Sequence, residues 1–351
     1  MHDIIVIGAG IQGMMLTHKL CALNSDVRIL NIEKNLNTNH TGQTFKSQFY
    51  IHRGHFYKEK SLILKLNNTY NNWIKVIHDL NISTFADSSF IGFTNSGDEW
   101  IQYWNDLEIP FNKSSIEDFC NKFLNIKIKE LYTFPHVLIN GMELMDKLYK
   151  RNMANTICDN IHDIVYHNDY YTVHGYNKSF KAKKIVICAG EGTDLLIEKL
   201  RTVHKNAVEI QKRFCQVLSL KGYLPNLSLL IPDEKLFIAS QCENDNIPAW
   251  LCTYDDDPII GNTQHEETIH WNRLENQIMH LRKIFPNLFE KVKDMKMYTA
   301  KKIESKMLGN GKRPNDVFVE SIADNALVCL PTKLTLALDA ADTIINKLAI
   351  H

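Results

Sequence analysis

Short apolar runs that end at a glycine or at an acidic residue set the pattern of the N-terminal region. The run from Asp3 to Ile7 is rich in β-branched residues and ends at Gly8, which is typical of a strand buried in a parallel sheet. The run from Val27 to Ile32 has the same character and ends at Glu33. Between the two runs, one face of a predicted helix carries Met15, Leu16, Leu20 and Leu23. The order strand, glycine turn, helix, strand and acidic residue predicts a βαβ unit.

The glycines of this turn have the spacing of a dinucleotide-binding motif. Gly8, Gly10 and Gly13 form GxGxxG, which permits a tight turn, close approach of a pyrophosphate, and close packing of helix on strand. The N-terminus of the helix offers free N–H groups and partial positive charge to phosphates. Glu33 lies 20 residues after Gly13, where a carboxylate can accept hydrogen bonds from ribose hydroxyls. The region therefore predicts a site for the ADP half of a dinucleotide.

Two later segments favour FAD over NAD as that dinucleotide. Residues Lys184 to Gly190 read KIVICAG, a buried strand that ends in two small residues and follows a hairpin-like stretch from Ile157 to Val173. Such an ending can return the chain to the first glycine turn without a side chain that would strike the cofactor. The N-terminus of a last amphipathic helix would stabilise negative charge on reduced flavin. Its apolar face would carry Leu334, Leu338, Ala341, Ile345 and Leu348.

Composition narrows the class of partner. The 351 residues are 44% hydrophobic and carry 40 Lys and Arg against 40 Asp and Glu, so no net charge favours nucleic acid. The eight cysteines show no CxxC or zinc spacing, and no apolar run approaches the roughly 18 residues of a membrane span. We expect a cytoplasmic protein, with peripheral membrane contact left open, that binds a small molecule and has no metal site or transmembrane segment.

The chain resembles the D-amino-acid oxidase superfamily of FAD enzymes, and within it the branch of the L-2-hydroxyglutarate oxidases and dehydrogenases. The resemblance covers most of the chain. The segments that carry it are VIGAGIQG with Glu33, QT at Gln43 and Thr44, YIHRGHFYKEKSL from Tyr50 to Leu62, KIVICAG, YDDDPIIGNT from Tyr254 to Thr263, FPNL from Phe285 to Leu288, KRP from Lys312 to Pro314, and LPTKLTLAL from Leu330 to Leu338.

The resemblance implies an α/β fold with two domains. A Rossmann-type FAD-binding domain would be assembled from the discontinuous segments 1–85, 145–205 and 300–351. An inserted α+β substrate domain, built on an antiparallel sheet, would take 86–144 and 206–299. The strand-like runs FCQVLSL, from Phe214 to Leu220, and KLFIAS, from Lys235 to Ser240, suit such a sheet.

The resemblance also implies which residues bind FAD, and from the place of Cys329 we predict that they bind it non-covalently. They are Gly8, Gly10, Ile11, Gln12, Gly13, Glu33, Lys34, Gln43, Thr44, Ser47, Gln48, Ile161, Ala189, Gly190, Lys333, Leu334 and Thr335. Some relatives attach the flavin through a histidine or a cysteine. Cys329 lies near the predicted flavin-facing turn, but its place in ALVCL indicates a buried strand residue.

His52 stands where the related enzymes have the histidine of an IHxG segment. Oxidation of an alcohol needs a base for the hydroxyl proton while hydride passes to flavin N5, and histidine suits that task near neutral pH. His52 is therefore either this base or a structural histidine in the turn at Gly54. Arg53, Lys312 and Arg313 are candidates to pair with a substrate carboxylate, and each could equally face solvent or a phosphate.

The predicted function is the FAD-dependent oxidation of a small 2-hydroxy acid, with an amino acid or amine as the alternative substrate. Two other classes remain in view: an NAD(P)-dependent dehydrogenase, and a flavin-binding protein without turnover. The sequence leaves the electron acceptor open among oxygen, a quinone and a carrier protein.

Overall fold

The computed structural model describes residues 1–23, 26–36, 42–117, 128–202, 206–242, 248–254, 259–260, 271–306, 315–330 and 333–349. The strands in these ranges are β1 (His2–Ile7), β2 (Ile29–Glu33), β3 (Tyr50–His52), β4 (Thr84–Phe93), β5 (Asn112–Lys113), β6 (Glu130–Ile139), β7 (Thr156–Cys158), β8 (Ile161–Tyr166), β9 (Tyr171–Gly175), β10 (Ser179–Ile187), β11 (Leu200–Arg201), β12 (Ile210–Gly222), β13 (Ser228–Ile231), β14 (Leu236–Cys242), β15 (Pro248–Tyr254), β16 (Ile259–Ile260), β17 (Val292–Ser305), β18 (Phe318–Ala323) and β19 (Ala326–Leu330). The helices are α1 (Ile11–Leu23), α2 (Lys60–Asp79), α3 (Asp98–Asp106), α4 (Gly141–Asn152), α5 (Thr193–Glu198), α6 (Trp271–Ile284) and α7 (Ala337–Lys347).

The chain divides into two compact units, each assembled from separated segments. The first unit comprises Met1–Ser47, Glu143–Arg213 and Lys301–His351, and the second comprises Gln48–Met142 and Phe214–Ala300. The predicted boundaries differ from these chiefly over residues 48–85. That stretch lies with the second unit because β3 and β4 both pair with β6.

The first unit is built on a mixed sheet whose centre is parallel. β1 lies between β2 and β10, and β10 pairs in parallel with β19. Ile4 and Val6 of β1 point into the apolar cluster that includes residues of α1 and α7, and Ile5 and Ile7 point into a second cluster on the opposite side. A strand buried on both faces needs a continuous apolar run, which is what the sequence supplies at both β1 and β10.

The second unit is built on a mostly antiparallel sheet with the strand order β16-β12-β15-β14-β13-β4-β6-β3. Trp250 of β15 packs against Phe285, next to α6, with ring centroids 5.5 Å apart, in one apolar cluster. A separate cluster forms around Trp104 of α3, which contacts Phe134 of β6 at 4.5 Å. The α/β fold class expected from the sequence is confirmed, and the structure shows that both sheets are mixed.

The predicted elements recur with small shifts. The second predicted strand begins two residues later than expected, at Ile29, and includes Glu33. The hairpin-like stretch consists of β7, β8 and β9, and KIVICAG supplies the last part of β10 together with the turn that follows it. The last helix begins at Ala337, after a single 3₁₀ turn over Leu334–Leu336. In the described part of the chain, no helix is both long and apolar enough to cross a lipid bilayer.

A buried ion pair joins β12 to β17 inside the first unit. Arg213 Nε lies 3.2 Å from both carboxylate oxygens of Glu304, and the two residues are only 6% and 1% exposed. Glu304 also accepts a hydrogen bond from Gln211 Nε2 at 3.1 Å. A buried charge that loses its partner costs far more than an exposed one, because the remaining ion stays out of water.

We expect Glu304→Gln to lower the free energy of unfolding by about 3–5 kcal/mol, because the Arg213 cation would remain buried without its counter-charge. Glu209→Gln is the matched control, since Glu209 pairs with Lys306 at 3.5 Å between the same two segments but in water. Its effect should stay below about 1 kcal/mol. Urea unfolding of both variants measures the difference, and equal effects would contradict the burial argument.

Candidate functional site

The first glycine turn is closed by backbone contacts. Gly8 has a φ of +109°, and a Cβ built on it would lie 2.5 Å from the carbonyl oxygen of Cys188. Its N–H donates to the carbonyl of Ile32 at 2.8 Å, and Cys188 N–H donates to the carbonyl of Ile7 at 2.8 Å. A Cβ on Gly13 would overlap the Gly8 carbonyl oxygen. The turn therefore requires glycine at both positions, as the motif predicts.

The N-terminus of α1 meets a hydroxyl group from a later segment. Ile11 N–H donates to Thr44 Oγ1 at 3.1 Å, and a Cβ on Gly10 would lie 3.1 Å from the same oxygen. Free N–H groups at a helix start attract anions, and the Thr44 hydroxyl still has a proton to donate to a phosphate oxygen. The absence of a side chain at Gly10 keeps this corner open. The predicted residues Gly10, Ile11 and Thr44 thus converge.

Glu33 is fixed at the carboxyl end of β2. Its Oε2 accepts the Ala9 N–H at 2.7 Å, and its Oε1 accepts the Asn35 N–H at 3.3 Å. Two backbone donors orient the carboxylate, and each oxygen retains acceptor capacity for a ribose hydroxyl. Lys34 contributes its carbonyl oxygen, which lies 3.5 Å from Cys158 Sγ.

The end of β10 returns to the glycine turn, as the small residues of KIVICAG predicted. Ala189 leads into Gly190, which has a φ of +54°. Among the described residues, a Cβ on Gly190 would meet only Gln43 Oε1, at 3.9 Å, so these residues leave space above this glycine. Ser47 Oγ donates to the Gln43 carbonyl at 2.9 Å and holds that segment in place. Gln43 and Gly190 thus lie near each other in the first unit.

The side chain of Gln12 is almost fully buried, with an unsatisfied oxygen. Its Nε2 donates to the Ala337 carbonyl at 3.4 Å, while its Oε1 has no hydrogen-bond partner among the described residues. Ala337 begins α7, directly after the 3₁₀ turn, and Leu336 N–H donates to the Lys333 carbonyl at 3.1 Å. A buried acceptor without a partner fits a polar group that a bound ligand would supply. Together with the uncovered backbone at Gly10 and Gly190, it makes the first unit fit a dinucleotide.

Other predicted residues lie elsewhere. Ile161 is buried in an apolar cluster of the first unit, and its carbonyl accepts Lys199 Nζ at 3.1 Å. Gln48 belongs to the second unit, where its Nε2 donates to the Leu251 carbonyl at 3.3 Å. Arg313 and Lys312 lie outside the described residues.

Arg53 lies against α2 and bonds to two side chains of that helix. Its Nη1 donates to Asn67 Oδ1 at 2.7 Å, and its Nη2 donates to Asn71 Oδ1 at 3.2 Å. The guanidinium also lies 4.2 Å from the centre of the Tyr70 ring. These contacts use two of its five N–H donors and hold the guanidinium against α2.

His52 belongs to a buried group of three imidazoles in the second unit. It stands directly opposite His136 where β3 pairs with β6, and its ring centroid lies 5.9 Å from that of His55. Tyr50 stacks on His52 at 5.0 Å and on His136 at 5.5 Å. His52, His55 and His136 are each no more than 1% exposed. Nothing in TFPHVLI distinguishes His136 from a core strand residue, so the sequence does not predict its place in this group.

The surroundings of His55 and His136 favour the neutral form of those two rings. Burial lowers the pKa of His136 to about 3. Burial, with smaller contributions from His52, His136 and Arg53, lowers the pKa of His55 well below its usual value. His55 Nε2 bonds to Ser89 Oγ at 2.8 Å, whereas His55 Nδ1 and both ring nitrogens of His136 have no partner among the described residues. Within those residues, no three His, Cys, Asp or Glu side chains are placed to hold a metal ion.

Comparison with known proteins gives a family match over most of the chain. Residues 3–312 match the family model described as FAD dependent oxidoreductase. No curated protein matches the sequence significantly.

Several solved structures share the fold. L-α-glycerophosphate oxidase from Mycoplasma pneumoniae, solved with FAD bound, has a TM-score of 0.79 at 15% identity, over 100% of this chain and 95% of that one. Glycine oxidase from Geobacillus kaustophilus has a TM-score of 0.78 at 11% identity, over 99% and 94%. L-proline dehydrogenase from P. horikoshii has a TM-score of 0.75 at 13% identity, over 99% and 94%. At these identities the likeness is one of fold.

We expect Gly10→Val to yield colourless protein, because branched carbons next to Thr44 Oγ1 would fill the corner in which a pyrophosphate approaches α1. The measurement is the amount of FAD that copurifies per mole of chain. Gly42→Val is the matched control, because a Cβ on Gly42 meets no atom of the described residues within 4 Å. A Gly10→Val protein that keeps its FAD would contradict the assignment of this corner.

We expect His136→Leu to reduce the loss of stability in acid. The pKa of His136 is about 3 in the folded chain and about 6.5 in the unfolded chain, so between these values the unfolded state binds more protons. The contribution is fully present above pH 6.5 and declines as the pH falls, by about 2 kcal/mol at pH 5. Urea unfolding from pH 8 to 5 measures the slope. The exposed His78→Asn should leave the slope unchanged.

Proposed function

The chain belongs to the family of FAD-dependent oxidoreductases, and from that premise we propose that it oxidises a small 2-hydroxy acid. The observation that carries the FAD part is the convergence of Gly10, Ile11 and Thr44 at the start of α1. We propose that the first unit binds the cofactor and the second unit binds the substrate. The 2-hydroxy acid, and a relation to the L-2-hydroxyglutarate oxidases, are supported by the His52 segment of the sequence.

Different residues of the first unit would bind different parts of the cofactor. The N–H groups at the start of α1, with the Thr44 hydroxyl, would bind the pyrophosphate, and Glu33 would accept hydrogen bonds from the ribose. The turn from Lys333 to Thr335 leads into α7, whose N-terminus would stabilise negative charge near it. FAD, when bound, supplies the two-electron acceptor for hydride from the substrate carbon.

We propose that FAD is bound without a covalent link. Cys329 is 1% exposed and packs with residues of α1 and α7. Burial, with a smaller contribution from the hydrogen bond that its S–H donates to Cys188, raises the pKa of its thiol well above the usual value. A buried protonated thiol is a poor nucleophile, which supports a non-covalent cofactor.

An amine or amino acid is the second candidate substrate. Loss of hydride from a hydroxyl-bearing carbon needs a base for the O–H proton, whereas an uncharged amine needs none at that step. The lowered pKa values of His55 and His136 make those two rings weak bases. Neither ring would supply a base near neutral pH, an observation that favours the amine.

The purified chain should show flavin absorbance that bleaches when a substrate is added without oxygen. The panel should contain 2-hydroxy acids, among them L-2-hydroxyglutarate, and then amino acids and simple amines. Bleaching by the first group supports the proposal, and bleaching by the second group alone transfers it to the amine candidate. An FAD-loaded chain that neither group bleaches points to a flavin-binding protein without turnover. Absence of flavin bands after FAD is supplied would overturn the proposal.

A further inference from the structure

A buried amide side chain lies in the apolar layer between β2 and α1. Successive residues of β2 alternate between its two faces. Leu30 and Ile32 belong to one apolar cluster, and Ile29 belongs to the other, which includes residues of α1. Asn31 shares the face of Ile29 and is fully buried. An amide in such a layer reduces stability unless its contacts compensate for the loss of water.

The Asn31 amide is joined to the first turn of α1 through one hydroxyl group. Asn31 Nδ2 donates to Thr17 Oγ1 at 2.9 Å. Thr17 Oγ1 in turn donates to the Gly13 carbonyl at 2.8 Å. A hydroxyl has one proton and two lone pairs, so both bonds exist together. A side chain of β2 is thus connected to the third glycine of the dinucleotide motif.

Glu33 holds the same turn from the same face of β2. It follows Asn31 by two residues, and its Oε2 accepts the Ala9 N–H at 2.7 Å. Glu33 therefore holds the chain just before α1, while Asn31 holds α1 itself through Thr17. Together these bonds set the separation between the carboxylate proposed for the ribose and the N–H groups proposed for the pyrophosphate.

The Asn31 amide is only half satisfied. Its Oδ1 has no hydrogen-bond partner among the described residues. Thr156, which is paired with Asn31 on β7, donates its hydroxyl proton to the Asn152 carbonyl at 2.8 Å. A buried acceptor without a partner reduces stability. Such a cost is typical of a residue that serves a site.

We propose that Asn31 is a positioning residue for the ADP half of FAD. Through Thr17 it fixes the place of α1 on β2, and so aligns the pyrophosphate-binding N–H groups with Glu33. Groups that are aligned in advance need no ordering when the ligand binds, which increases affinity. This inference rests on the proposed cofactor site and identifies what positions it.

Asn31→Leu should separate affinity from stability. Leucine has nearly the shape of asparagine, and Thr17 keeps its bond to Gly13, so no buried donor loses its partner. We expect the urea midpoint of the cofactor-free chain to stay the same or rise, because the unsatisfied Oδ1 is gone. The Kd values for FAD and for ADP should rise about three- to tenfold, the equivalent of one hydrogen bond. An unchanged Kd, or a urea midpoint that falls together with affinity, would overturn the inference.

Thr17 provides a second test, which does not depend on how leucine packs at position 31. Thr17→Ser keeps the hydroxyl and should keep the natural Kd for FAD. Thr17→Val removes the hydroxyl and should raise the Kd as much as Asn31→Leu does. The double variant should show no further loss, because both changes break the same connection. Losses that add would show two independent effects and contradict the proposal.

Thr156→Val is the matched control. It removes a buried hydroxyl from the strand beside Asn31, but one that bonds to the last residue of α4 and not to α1. Its Kd for FAD should equal that of the natural chain. A natural chain that does not bind FAD would overturn the proposed function and with it this inference. A natural chain that binds FAD, with an Asn31→Leu variant of equal affinity, would overturn the inference alone.

Discussion

The contact of Gly8 with the ends of two neighbouring strands is the constraint on which the dinucleotide site depends. The Gly8 N–H is bound to β2 through Ile32, and its α-carbon faces the Cys188 carbonyl at the end of β10. The start of α1 is then fixed by Gly13, which packs on the Gly8 carbonyl without space for a methyl group. Backbone packing of this kind is rigid, so the N–H groups at the start of α1 are already oriented in the absence of a ligand.

Thr44 and Gln43 complete the corner from a segment more than thirty residues downstream in the chain. Thr44 Oγ1 accepts a hydrogen bond from the Ile11 N–H. The first N–H groups of any α-helix have no hydrogen-bond partner within the helix, so Thr44 provides one for α1. The same hydroxyl that stabilises the helix start thus lies where an anion would bind. The Ile11 N–H and Thr44 Oγ1 therefore contribute both to the stability of the cofactor-free chain and to the proposed cofactor site.

In the second unit, by contrast, some buried polar groups reduce the stability of the fold. Both ring nitrogens of His136 are buried without a partner among the described residues, and unsatisfied buried groups generally reduce stability. Natural proteins tolerate such costs mainly where a site needs them. The position of His136 directly opposite His52 is therefore consistent with a functional use of this end of the sheet.

The sequence by itself determined the first unit in considerable detail. Glycine spacing, strands that are apolar on both faces and the acidic residue at position 33 are local features, and each follows from backbone geometry within about thirty residues. The same local logic identified the end of β10 and the last helix. The predicted starts of β2 and α7 differ by a few residues from the observed ones at Ile29 and Ala337. The ends of an element depend on hydrogen bonds that the spacing of apolar residues does not reveal.

Only the tertiary structure decided what surrounds the candidate substrate-side residues. In the sequence Arg53 is a candidate to pair with a substrate carboxylate, and in the fold α2 places Asn67 and Asn71 against it. Residues 48–85 belong to the second unit because of strand pairing with β6, a partner almost ninety positions away from β3. His52 Nδ1 accepts the N–H of Gly54 at 3.0 Å, in a turn of positive φ. Hydrogen bonds and burial arise from chain segments that meet only on folding, so residue type alone could not reveal them.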